Sequence, residues 1–314
     1  MRPVERIIVA ALAAGSILGA VAALNDGPED TRVAIAWRGR DGRTREAVAT
    51  REAVPPETVS AERVDNVLVV RIAAFSRTTD AHLAQVLHEA FAGGRPVDGL
   101  VIDLRGNRGG LLRQAVSAAD ILLPPGIVAV TAGRAREANF VWRSTAEELG
   151  EDLPVVVVVD GRTASAAEVL AAALADRGRA VALGSATLGK GLVQTVAPLP
   201  DGGELYVSWS RILAPRGWPV QGLGLLPQVC TSRGFEQARR QIEALAQGRQ
   251  VLAGDLAAHR KARAPLPPAQ ALAIRAACPA AEGRDSDIDA ARLLIATPAA
   301  YEAALLPPMA AEAR

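Results

Sequence analysis

Between residues 67 and 183, short apolar runs alternate with helix-like segments, and this alternation most constrains the fold. VLVVRIA (67–73), GLVIDL (99–104), 127–131, PVVVVV (154–159) and 180–183 read as strands, being short and apolar. Residues 79–92 (TDAHLAQVLHEAFA), 110–123 (GLLRQAVSAADILL) and 165–176 read as helices between them. Such alternation implies a largely parallel α/β core. A polar insert of helical character, 134–150, separates two of the strands. After Gln194, TVAPL, the turn Pro200-Asp201-Gly202-Gly203 and ELYVSWSRI predict a β-hairpin. Ahead of the core, residues 31–54 read as two strands around Arg40–Arg43, closed by Pro55-Pro56. From about 230 the chain is Ala-rich and helical, broken by Pro265, Pro267 and Pro268.

With 314 residues, half of them hydrophobic, the chain can build one sizeable core and a smaller unit, and it is not a disordered protein. A net charge of +1 argues against a general affinity for nucleic acid. Arg2 and Arg6 precede an uncharged run, residues 7–24, that fits a cleaved export signal and a retained membrane anchor equally well. Either places the remainder outside the cytoplasm. Cys230 and Cys278 are an even pair, expected to form a disulfide in an oxidising compartment; two buried thiols are the alternative. No Cys/His spacing suggests a metal site, and no cofactor is expected.

Of 35 basic residues only Lys190 and Lys261 are lysine. An arginine keeps its proton in a protein, whereas a desolvated ammonium can lose it, so Lys190 is a candidate general base. Lys261, in HRKAR, reads as part of a solvated face. Ser165 follows the five-valine strand and the turn Asp160-Gly161-Arg162 and opens a helix, where the helix dipole favours a developing oxyanion. Taken alone, the position reads first as a plain helix cap, with Glu168 completing a capping box. DLRGNRGG (103–110) ends another strand, and its successive N–H groups can form an anion-holding nest. There is no G-x-S-x-G elbow, Walker loop or H-E-x-x-H, and His82, His88 and His259 lie in no pattern that recommends a triad.

DLRGNRGG, TASAAEVLAAAL, LGKGLVQ, PLPDGG and GWPVQGLGLLP, in this order and spacing, resemble the carboxyl-terminal processing peptidases, which are Ser-Lys tail-specific serine proteases. The resemblance covers about residues 31–230. It implies a ClpP/crotonase-like α/β core, with Ser165 as nucleophile, Lys190 as general base and Gln194 orienting the lysine. Gly109 or Gly110, together with the N–H of Ala166, matches the oxyanion hole. The implied chemistry is acyl transfer through Ser165, with Lys190 acting as a neutral amine in a dry pocket lined by Ala164, Leu188, Leu192 and Val193. The implied setting is periplasmic, either soluble or anchored to the inner membrane, with protein or peptide as substrate.

The domain expectation is a signal or anchor at 1–25, a PDZ remnant at 26–58, a peptidase core at 59–229 and a helical C-terminal extension at 230–314. Residues 31–54 resemble only the closing strands of the PDZ domain that such peptidases use to hold a substrate tail. A complete PDZ is therefore expected to be absent. Three consequences stay open: an adaptor supplies tail recognition, the enzyme is less selective, or the gene starts upstream of Met1. The tail could cover the core, mediate homo-oligomerisation or restrict access to the site. A non-catalytic peptide-binding scaffold and an acyl-CoA enzyme of the wider fold are the competing readings, the latter on fold analogy alone.

Overall fold

The computed structural model describes residues 5–8, 31–38, 43–50, 57–145, 149–150 and 152–307. It divides after Pro56 into two compact units. In the first, β1 (Glu5–Ile8), β2 (Arg32–Arg38) and β3 (Thr44–Thr50) form a three-stranded sheet, with β1 parallel and β3 antiparallel to β2. The hairpin β2–β3 occupies the segment read as closing strands. Residues 5–8 are a strand, although 7 and 8 open the run that fits a signal or anchor; the rest of that run lies outside the described residues. Among the described residues no helix is long and apolar enough to cross a membrane.

The second unit is built on a six-stranded sheet. Its strands are β4 (Val59–Val64), β5 (Val67–Ile72), β6 (Gly99–Asp103), β9 (Val155–Val159), β10 (Ala180–Gly184) and β13 (Val229–Cys230), in the order β13-β10-β9-β6-β5-β4. All pairings are parallel except β4–β5. The five valines of β9 explain its central place. Val155, Val157 and Val159 face one layer, Val156 and Val158 the other, and all are fully buried. A strand buried on both faces needs no polar alternation, and each valine contributes about 1.5–3 kcal/mol by leaving water.

The first layer holds α1 (Thr79–Ala92), α2 (Leu112–Leu122) and α3 (Ala166–Asp176), joined by α5 (Ala253–Lys261) and α6 (Pro268–Arg275). The second holds α4 (Phe235–Ala246), α7 (Ser286–Ile295) and α8 (Pro298–Ala304). The C-terminal extension is therefore structural on both faces of the sheet. A separate antiparallel sheet has the order β11-β12-β7-β8, from β11 (Leu192–Pro198), β12 (Glu204–Leu213), β7 (Gly126–Gly133) and β8 (Phe140–Ser144). Here the helical reading of the insert is corrected. Residues 136–138 make one 3₁₀ turn and 140–144 are strand, because Phe140-Val141-Trp142 pairs across β7. Strand β4 was not anticipated; its polar SAER core masks an edge strand.

Candidate active site

Three loops leave the C-terminal ends of the adjacent parallel strands β6, β9 and β10, which is where open α/β sheets place their sites. They are 104–110, 160–165 and 185–190, and of the catalytic and oxyanion-hole residues the sequence singles out they carry all but Ala166 and Gln194. The loops are tied together by hydrogen bonds. Asp160 Oδ1 accepts the N–H groups of Gly106, Arg162 and Thr163 at 2.9–3.0 Å. Thr163 Oγ donates to the Leu104 carbonyl (2.8 Å). Ala164 N–H donates to the Asn107 carbonyl (2.9 Å), and Leu188 N–H to the Thr163 carbonyl (2.9 Å).

Ser165 stands at the head of α3 with φ 59° and ψ −120°. A serine in that region carries about 1–3 kcal/mol of strain, which persists only where the surroundings over-determine it. Here the constraint comes from Glu168. Its carboxylate is fully buried, and Oε2 accepts both Ser165 N–H and Lys190 N–H, each at 2.8 Å. Oε1 accepts Gly189 N–H at 2.7 Å and the Thr187 hydroxyl. One oxygen atom thus holds the backbones of the two residues expected to do the chemistry. Burial pushes the Glu168 carboxyl above its ordinary range, against the pull of these four donors. In the sequence Glu168 stands only as a capping partner; its link to the lysine loop has no local signature.

The Gly-rich turn closes on the same point. Gly109 has φ +98°, and a Cβ there would sit 2.8 Å from the Ser165 Cβ and 3.0 Å from Ala166 N, so only glycine permits this approach. Its N–H is taken by Asn107 Oδ1 at 2.7 Å. Asn107 is fully buried, and its Nδ2 donates to the Ile72 carbonyl (2.7 Å). Among the described residues no protein acceptor takes the N–H of Gly110 or of Ala166.

The side chains are less assembled than the backbones. Ser165 is half-buried, but Lys190 is exposed, and no hydrogen bond joins Ser165 Oγ to Lys190 Nζ. The dry pocket expected around the lysine is not formed. Ala164 is buried, but Leu188 (47%) and Leu192 (40%) are themselves exposed, so no apolar wall closes over the amine. Gln194 lies exposed on β11, paired with Ser208 beyond a bulge, and makes no hydrogen bond to Lys190. Cys230 and Cys278 form a disulfide, Sγ–Sγ 2.05 Å. Of the histidines, His259 is fully buried beside Arg260 and Trp218, away from these loops. Among the described residues no group of three His, Cys, Asp or Glu is gathered that could hold a metal.

The chain is similar to several known proteins. A carboxy-terminal-processing protease of Bartonella bacilliformis is 41% identical over 133 residues, 42% of this chain and 30% of the relative. A carboxyl-terminal-processing protease of Synechocystis sp. is 32% identical over 217 residues, 67% of this chain and 50% of the relative. The chain thus spans half or less of the length of these relatives. The solved photosystem II D1 C-terminal processing protease shares 32% identity at a TM-score of 0.50, over 67% of this chain and 58% of that one. The model of peptidase family S41 matches residues 66–231, which hold all three loops and β11. On that match, this chain belongs to peptidase family S41.

Proposed function

We propose that the chain is an exported serine endopeptidase that cleaves protein C-terminal tails or unfolded proteins through a Ser165–Lys190 acyl-enzyme mechanism. The observation that carries this is the single Glu168 oxygen bonded to both Ser165 N–H and Lys190 N–H. That atom holds the backbones of a strained serine and of the one lysine within residues 59–229, and among the described residues the N–H groups of Ala166 and Gly110 have no protein acceptor.

Lys190, as the neutral amine, takes the Ser165 proton while the hydroxyl attacks a peptide carbonyl. The oxyanion is held by the N–H groups of Ala166 and Gly110. Gly109 serves through its missing Cβ, since its own N–H is occupied. Lys190 then passes the proton to the leaving amine, and water releases the acyl group. The bound polypeptide supplies the absent wall, covering Lys190 against Leu188 and Leu192 and desolvating the amine. Gln194, four residues on, orients the lysine in that closed arrangement.

The exposed lysine favours a second reading, a peptide-binding scaffold of the same fold or an enzyme completed by a partner. The two are separated by incubating the full chain with casein as an unfolded substrate. The peptidase reading expects fragments from the wild type and none from Ser165→Ala. Equal fragmentation by both, or none by the wild type, goes against it.

A further inference from the structure

The stretch 278–284 lies beyond residue 231, where the family match ends. It nevertheless crosses the outer side of the loops that carry Ser165 and Lys190. The Ala281 carbonyl accepts Gly161 N–H at 2.7 Å and the Ser185 hydroxyl at 2.9 Å. Gly161 belongs to the turn before Ser165, and Ser185 opens the loop before Lys190. Ala281 N–H returns a bond to Ser185 Oγ at 3.0 Å, and Gly283 N–H donates to Asp160 Oδ2 at 3.1 Å. At its start, the Cys278 carbonyl accepts Ala186 N–H at 3.3 Å. At its end, the Arg284 carbonyl accepts from Arg105, the arginine of the oxyanion turn. Ser185 and Asp160 are each 3% exposed, so water has little access to the bonds these two side chains make. The Cys230–Cys278 disulfide ties the stretch to β13.

We infer that residues 278–284 are a positioning strap, whose Ala281 carbonyl, shared by Gly161 N–H and the Ser185 hydroxyl, sets the spacing between the nucleophile loop and the lysine loop. Glu168 joins the same two loops from inside, and the strap braces them from outside. It touches no reacting group. Its effect passes through the backbones of 160–165 and 185–190, and a small misplacement there is costly to catalysis. The kinetic consequence rests on the proposed peptidase reading; the mechanical one does not.

The test is hydrogen–deuterium exchange on the full chain, comparing the wild type with Ser185→Ala and Ser185→Thr. The Cys230→Ser/Cys278→Ser double variant serves as a second way to loosen the strap. In Ser185→Ala the amides of 161–165 and 186–190 are expected to exchange about tenfold faster or more, while those of β6 and β9 keep their protection. Threonine, which keeps the hydroxyl, restores slow exchange. In casein hydrolysis, kcat falls about tenfold to a hundredfold with KM unchanged, and threonine rescues it. Unchanged protection of 161–165 and 186–190 in both Ser185→Ala and the double variant overturns the inference, whatever the activity does. So does a loss of protection spread evenly over the sheet. A wild type that never cleaves casein removes the peptidase reading and leaves the exchange result to judge the strap.

Discussion

At the scale of single residues, the site depends on one buried carboxylate. Glu168 satisfies four donors, three of them backbone N–H groups from Ser165, Gly189 and Lys190. A glutamine offers one carbonyl oxygen and turns an NH₂ toward the remaining donors, which leaves them unpaired. Glu168→Gln is therefore expected to fold but to lose about a hundredfold in kcat, because the loops shift at the ångström scale; unchanged casein turnover would contradict this. The raised carboxyl fixes the sign of two pH effects. Between 4.5 and the native value the folded chain binds more protons than the unfolded one, so this group subtracts from stability as pH rises. Activity runs the other way. Protonation turns an acceptor into a donor, so turnover falls as pH drops through the raised value, an acid limb that a stopped-flow pH profile resolves.

At the scale of elements, the C-terminal helices act on the site through a loop. His259, on α5, donates from Nε2 to the Gly224 carbonyl at 2.8 Å, while Arg260 Nη1 donates to its Nδ1 at 2.6 Å. Arg275, ending α6, donates to the Leu223 carbonyl at 2.6 Å. Leu225, which follows Gly224, accepts Thr187 N–H at its carbonyl and donates its own N–H to Thr187 Oγ, which bonds Glu168. Burial, then the charges of Arg260 and Arg275, hold the His259 imidazole well below 6.5, while Asp176 neutralises Arg260 at 2.7 Å. The unfolded chain takes up a proton below 6.5 that the folded chain refuses, so stability falls as pH drops beneath that value. Thermal melting across this range should show the loss, and His259→Gln should flatten it. An equally steep dependence in the variant would assign the loss to other groups.

At the scale of the whole molecule, some features were legible in the sequence and others were not. The strand–helix alternation was readable because five-valine and GLVID runs buried on both faces leave no polar period to confuse the assignment. The loops at 104–110, 160–165 and 185–190 were readable through glycines and one of only two lysines in an arginine-rich chain. What stayed hidden depends on long-range contacts. Glu168 reaches a loop about twenty residues away, and Ala281 reaches back across more than ninety. An alanine whose function is its carbonyl has no side-chain signature at all. The edge strand β8 escaped because its pairing with β7, not its composition, makes it a strand. The exposure of Lys190 also needed coordinates, since its apolar neighbours in sequence do not close over it in space.

The central claim is that the Ser165 hydroxyl is acylated with Lys190 as its base. Acid-quenched mixing of the full chain with an activated peptide ester, followed by peptide mapping and mass spectrometry, tests it most directly. The account predicts an acyl adduct on Ser165 in the wild type and none in Lys190→Arg or Ser165→Ala, with all three melting alike. An adduct on another residue, or acylation of Lys190→Arg at the wild-type rate, would contradict it.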